Sequence, residues 1–349
     1  MQIKSLLLGS AAVLVSISTA RAADAIVVEP EPVEYVRICD AYGAGWFFIP
    51  GTETCLKFDG DVRVQYDVSH YHEDVSDETS LHEADYRARL NVRARNETEY
   101  GTLSSRIRFV AASEQGGHDD VLSSSEGPGS ANTEVDTAVI SLGGFMVGYD
   151  NSYWHRTGDW GYYEARYDGL YVEQFGLFAE YTYEANGWAF TGGVEDGLNT
   201  GEAGQPDVYG GVSYANGGWF LAGIVYRDTS EADYAWKVRG DYDFGTSGFK
   251  LGAFYFADDG NTDYVKGHTW GVTAKINLMD NMILFAGYSD YADQYTDGAA
   301  SATNATIGVA WDVVPGLRVQ PEYSITTYDH EGKDQLNGGT FSLRIERSF

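Results

Sequence analysis

Lys57-Phe-Asp-Gly-Asp-Val-Arg-Val-Gln-Tyr-Asp-Val68 alternates without a break. Phe58, Gly60, Val62, Val64, Tyr66 and Val68 fall on one side of an extended chain; Lys57, Asp59, Asp61, Arg63, Gln65 and Asp67 fall on the other. Successive side chains of a strand point to opposite faces, so this run is a strand with one apolar and one wet face. The next run repeats the pattern with basic chemistry: Ala84, Tyr86, Ala88, Leu90, Val92 and Ala94 alternate with Asp85, Arg87, Arg89, Asn91, Arg93 and Arg95. Farther along, Trp236, Val238, Gly240 and Tyr242 alternate with Lys237, Arg239, Asp241 and Asp243.

Marking every such run predicts sixteen strands, near 57–68, 83–96, 102–112, 134–142, 145–149, 169–184, 188–195, 207–215, 219–227, 232–244, 248–257, 267–278, 282–289, 302–312, 317–326 and 337–349. The connectors between them alternate in length. Residues 97–101, 143–144, 185–187, 216–218, 245–247, 279–281 and 313–316 make tight turns rich in Gly and Asn, as hairpins require. The interleaved set, 69–82, 113–133, 150–168, 196–206, 228–231, 258–266, 290–301 and 327–336, is longer. An even strand number with short turns on one rim and long loops on the other is the pattern of an antiparallel transmembrane β-barrel. Closure also removes the unpaired strand edges that a bilayer does not tolerate. A soluble sandwich or propeller would need all these apolar stripes to converge in one core, and no fixed repeat supports that.

Composition agrees with strands of mixed character. Of 349 residues, 26 are Tyr, 16 Phe and 8 Trp, and yet the mean hydropathy is -0.31. Lys and Arg number 23 against 52 Asp and Glu, a net charge of -29. That balance repels phosphate backbones and excludes nucleic acid as a partner. The acids concentrate in the long connectors, which hold 25 Asp and Glu but only 4 Lys and Arg. The strands are closer to neutral, with their charges in the polar phase.

Residues 1–22 read as a secretory signal, with Lys4 in the n-region, an apolar core from Leu6 to Ile17 and a small-residue cleavage site at Ala20-Arg21-Ala22. The mature chain is expected to begin at Ala23 and to run through a periplasmic segment, 23–56, into the barrel, 57–349. No later segment is apolar enough for a membrane helix. Cys39 and Cys55 are the two cysteines, and an even pair in an oxidising compartment most simply forms one disulfide. Free thiols are the alternative; a metal site lacks ligands, since two Cys without a nearby His pair leave a tetrahedral shell unfilled.

No catalytic or cofactor-binding pattern emerges. The seven His, at 70, 72, 82, 118, 155, 268 and 330, form no metalloprotease motif, and there is no nucleophile elbow or phosphate-binding glycine loop. His70, His72 and Glu73 read as solvated loop residues, and Asp293, Asp297 and Gly298 match only part of a calcium loop.

The stretch Glu34-Tyr-Val-Arg-Ile-Cys-Asp-Ala-Tyr-Gly-Ala-Gly45, continuing to Ile49-Pro-Gly-Thr-Glu-Thr-Cys-Leu56, closely resembles the mature N-terminal signature of the general porins of Rhizobiales, the Brucella and Rhizobium group. Lys237-Val-Arg-Gly-Asp241, Val313-Val-Pro-Gly-Leu317 and the ending Arg344-Ile-Glu-Arg-Ser-Phe349 are similar to other segments of that family. The resemblance implies a homotrimeric, sixteen-stranded barrel in the bacterial outer membrane, beside lipid and lipopolysaccharide, that passes small hydrophilic solutes and ions. It also implies that the third long loop, 150–168, folds inward and narrows the lumen. That loop carries Asp150, Asp159, Glu164 and Asp168, with Trp154, Trp160, Tyr162 and Tyr163 to pack against the wall. Arg87, Arg89, Arg93 and Arg95 share one phase of the second strand, and Arg106 and Arg108 one phase of the third. Acidic loop residues opposite them would set a transverse field across the constriction; alternatively, these arginines pair with Asp59, Asp61 and Asp85 and simply hold the wall. A substrate-specific channel would need stacking aromatics in the polar phase, where Phe178 and Phe254 are the candidates. A barrel enzyme or adhesin is the remoter alternative.

Overall fold

A computed structural model describes residues 37–73, 77–113, 131–156, 161–166, 175–196, 205–229, 232–258, 267–292, 299–330 and 336–349. The expected signal sequence and the start of the expected periplasmic segment lie outside these. A two-residue strand, β1 (Phe47–Phe48), is followed by β2 (Cys55–Glu73), β3 (Asp77–Thr98), β4 (Gly101–Ser113), β5 (Ala131–Leu142) and β6 (Phe145–Asn151). One helical turn, α1 (Tyr153–Arg156), leads toward β7 (Phe175–Ala185), β8 (Trp188–Glu195), β9 (Asp207–Asn216), β10 (Trp219–Arg227) and β11 (Tyr234–Asp243). The remainder is β12 (Phe249–Asp258), β13 (His268–Met279), β14 (Met282–Ala292), β15 (Ala299–Val314), β16 (Leu317–His330) and β17 (Leu336–Ser348).

From β2 to β17 every strand pairs antiparallel with the next, and β17 pairs back to β2, so the sheet closes on itself as a sixteen-stranded barrel. Closure ends on the last residue. Gly60 and Phe349 exchange backbone hydrogen bonds at 3.1 and 3.0 Å. The Phe349 ring lies where a Cβ on residue 60 would meet it at 2.9 Å, which accounts for a glycine inside an otherwise valine-rich stripe. Below that point the edge of β2 is taken by β1, with Phe47 opposite Leu56 and Phe48 opposite Cys55.

The two phases separate as the alternation dictates. Phe58, Val62, Val64 and Tyr66 are exposed on the outer wall, while Gln65 and Asp67 are buried inside. Near the short turns the outer wall carries close ring pairs, Phe145 with Tyr181, Trp188 with Tyr214 and Trp219 with Tyr242, at 4.6 to 4.7 Å between centroids. Trp236 with Tyr255 and Trp270 with Tyr288 lie toward the other rim. Amphipathic rings gather at such levels because one edge meets hydrocarbon and the other the headgroups. Arg347, which breaks the outer apolar phase, sits at the rim and donates to the carbonyls of Ser348 and Pro315.

Several strands outrun the sequence-based expectation. The stretch 69–82 reads as a loop, but β2 and β3 pair through it as far as Glu73 opposite Asp77. Beyond the apolar band a strand is wet on both faces, so alternation fades while backbone pairing persists. His70 and His72 therefore lie on β2, His82 on β3 and His330 on β16. The run expected to begin at 169 starts, among the described residues, at Phe175.

Candidate functional site

After β6 the chain turns into the lumen. The run Trp219-Phe-Leu-Ala-Gly-Ile-Val-Tyr-Arg227 is apolar in both phases, a sign of a strand covered on both faces. What covers its inner face is the segment itself: Tyr153, Trp154 and Tyr162 form one buried cluster with Ala222, Ile224, Tyr226, Phe254 and Phe256. Burying each such ring is worth about 1.5–3 kcal/mol, enough in sum to fix the segment against the wall.

Polar bonds then set its path. The Tyr153 amide donates to Glu195 at 3.1 Å and the Trp154 amide to the Tyr226 hydroxyl at 2.9 Å. Arg156 grips both oxygens of Glu180 at 2.9 Å, stacks 3.8 Å above the Phe178 ring and donates to the Asn151 carbonyl. Burial alone would lower the Arg156 pKa, but Glu180 raises it on balance. Farther along, Arg239 donates to the Gly161 carbonyl at 2.8 Å, and the Tyr163 amide donates to Thr273 at 2.8 Å. The Tyr163 hydroxyl bonds Asp241, and that of Tyr162 meets Ser289 and the Asn304 carbonyl. Burial first, then Asp241, pushes the Tyr163 phenol well above its ordinary range.

Glu164 ends this path at a left-handed φ of 59°. Its carboxylate takes Lys275 and Arg318 at 2.8 Å each, and its carbonyl accepts from Gln320 at 2.7 Å. Burial pushes this carboxyl up, but Lys275 and Arg318 more than reverse that and hold it below the usual carboxylate range. Arg166 follows, its amide on Glu322 at 2.7 Å and its guanidinium on Asp67 at 2.9 Å. The described segment thus meets inward groups of β7 to β16 and of β2.

The wall it leaves uncovered is the arginine-bearing one. Arg93 and Arg106 stand directly opposite each other on β3 and β4. Arg93 pairs with Asp59 at 2.9 Å, Arg106 with Asp150 at 2.6 Å, Arg108 with Asp136 at 2.6 Å and Arg87 with Asp61 at 3.2 Å. Arg89 reaches Asp61 only at 4.0 Å. Asp85, expected to pair with these arginines, instead accepts from Gln65 at 3.3 Å. Of the loop acids, Asp150 joins the arginine wall, Glu164 is turned to the far wall, and Asp159 and Asp168 lie outside the described residues, as does Trp160. Phe178 and Phe254 both lie under the segment, so neither offers a face to solute.

Cys39 and Cys55 are disulfide-bonded, with Cα atoms 6.0 Å apart. The loop they close folds onto the inner phase at the short-turn end. Tyr42 donates to Glu97 at 2.8 Å, Lys57 donates to the Ala44 carbonyl at 3.3 Å, and Arg95 lies 5.6 and 5.1 Å from the rings of Tyr42 and Trp46. Arg95 has no carboxylate within ion-pair distance among the described residues. Sequence reasoning missed Glu180, Glu195, Lys275 and Arg318 as anchors; each announces only an inward phase, and nothing local says what lies against it.

Known proteins share both sequence and shape with this barrel. Residues 24–345 match a family model described as Porin subfamily. Porin Omp2b of Brucella neotomae is 39% identical over 386 residues, and Porin Omp2a of Brucella melitensis biotype 1 is 39% identical over 383 residues, each alignment covering 100% of both chains. Among solved structures, the outer membrane channel DcaP of Acinetobacter baumannii has a TM-score of 0.66 at 14% identity, over 86% of this chain and 99% of that one. A mutant of the Rh. blastica porin gives 0.57 at 16% identity, over 84% and 100%. With a closed sixteen-stranded barrel, a wet lumen and full-length kinship to these proteins, the chain belongs to the Porin subfamily and is a channel of the outer membrane.

Proposed function

We propose that this porin narrows where the arginine wall of β3 and β4 faces the inward segment, and that small hydrophilic solutes and ions diffuse passively through the gap. The supporting observation is the anchoring. The two ends of the segment meet the arginine side of the lumen, at Asp150 with Arg106 and at Arg166 with Asp67, and its middle is tied to the opposite strands. A sixteen-stranded barrel is wide enough to hold water unless something folds into it, and this segment fills only part of it.

The field in the gap follows from the pairing. Glu164 is already engaged by Lys275 and Arg318, so no described loop acid stands across from Arg87, Arg89 and Arg93. Their guanidiniums, held apart by Asp59 and Asp61, present donors to the water of the gap. A polar solute can reorient its dipole there, whereas an apolar one must displace ordered water. We also infer a homotrimer, on the family resemblance.

Planar bilayers with a KCl gradient test the assignment. The wild-type chain should open in groups of three conductance steps. Arg93→Gln with Arg106→Gln should move the reversal potential toward cation preference. An unchanged reversal potential would remove that pair from the constriction, and single, independent steps would speak against the trimer.

A further inference from the structure

Beneath the segment, on the short-turn side of the lumen, lies a cavity of about 610 Å3. Its lining joins two kinds of surface. Arg93, Arg95, Arg106 and Ser104 supply donors from β3 and β4, whereas Met146 and Phe220 present hydrocarbon from β6 and β10. The charged lining comprises four guanidiniums, of Arg93, Arg95, Arg106 and Arg156, against two carboxylates, of Asp150 and Glu180. Both carboxylates are engaged, Asp150 by Arg106 and Glu180 by Arg156.

Arg95 is the group left over. Aromatic rings hold it in place without neutralising it, and a cation in a half-enclosed site favours an anion beside it more strongly than one in open water. Phe220 packs in part against the buried cluster under the segment and in part faces the cavity, whereas Met146 has no such cluster behind it among the described residues. Met146 and Phe220 lie in the inward phase, and passing water and simple ions calls for neither. Apolar surface beside one unspent guanidinium matches a ligand with both characters.

We propose that this cavity is a low-affinity subsite for small organic anions with an apolar body, such as aromatic carboxylates. Arg95 and Ser104 take the acid group while Met146 and Phe220 cover the hydrocarbon. The subsite rests on the reading of the chain as an open pore, and lies on the path a solute takes below the constriction.

The test is block of KCl current through the reconstituted full-length channel by benzoate, with acetate and benzamide as probes lacking the ring or the charge. Benzoate should reduce the open-channel current saturably in the millimolar range, and neither control should. Phe220→Ser should raise the half-blocking concentration about tenfold, the loss expected from one apolar contact of roughly 1.5 kcal/mol. Arg95→Gln should abolish saturation in a channel that still opens to KCl; Met146→Ser serves should the Phe220 variant not assemble. Equal block by benzoate and acetate, or block that none of these variants moves, overturns the subsite. A chain that conducts no KCl at all overturns the pore reading instead.

Discussion

Glu164 shows how much one side chain does here. A non-glycine residue at φ 59° is unfavourable in isolation, so the bonds around it must hold it there. Lys275, Arg318 and Gln320 do so from β13 and β16. Since the folded carboxyl titrates below its ordinary value of 4.5, its contribution to stability is fully present above that pH and is lost as pH falls through the lowered value. Noise in the open-channel current should therefore be flat from neutral pH down to about 5 and rise only in stronger acid. Glu164→Gln should show the acid-like noise at neutral pH, and a variant as quiet as wild type there would show that this tether does not hold the segment. The sequence marked Glu164 as a loop acid facing the arginines, without indicating that Lys275 and Arg318 would engage it. Alternation reports which phase a strand residue occupies, and Glu164 is on no strand, so its partners were set by a path that no periodicity encodes.

At the scale of elements, the strands were legible from the residues, whereas the inward course of the third loop was given only by the family resemblance and its anchors by neither. Each barrel strand is an independent period-two signal, and its hairpin partner is fixed by a short turn such as Gly143-Gly144. Position along the wall was also readable for Arg93 and Arg106, which the register places face to face. The covered patch behind the segment left a trace too, in the two-faced apolar run of β10, though only the fold shows what it receives. The disulfide-closed loop is the second element that tertiary contact defines. Its Cys39 amide bonds the Trp46 carbonyl at 3.0 Å, and closing a loop of this size contributes about 3 kcal/mol in the chain-entropy model. Replacing Cys39 and Cys55 with Ser should leave the barrel intact but speed hydrogen exchange at that amide about a hundredfold, the equivalent of roughly 3 kcal/mol. It should also loosen Tyr42 and Trp46 from Arg95 and move the reversal potential toward anions. Unchanged exchange would mean that Trp46 packing, not the bond, holds the loop.

For the whole molecule, net charge and pore charge oppose each other. The chain carries -29, and its long connectors hold 25 acids against 4 bases, whereas the wall facing the segment is set with arginines. These two fields act over different distances. Charges in open water at the mouth are screened by ions within about 10 Å at 0.1 M salt and about 3 Å at 1 M. In the proposed constriction an ion would pass the guanidiniums at near contact in a narrow, partly desolvated space, where screening is weaker. Dilute salt should therefore favour cations, gathered by the acidic mouth, and concentrated salt should uncover the arginine wall. At a fixed tenfold KCl gradient, raising the mean concentration from about 0.03 M to about 1 M should carry the reversal potential toward anion preference. In the Arg93→Gln, Arg106→Gln variant the same rise in salt should shrink the cation preference without moving it past neutrality. A wild-type reversal potential that stays constant across this range would mean that mouth and gap do not act as separate fields, and that the ion preference is set at one place only.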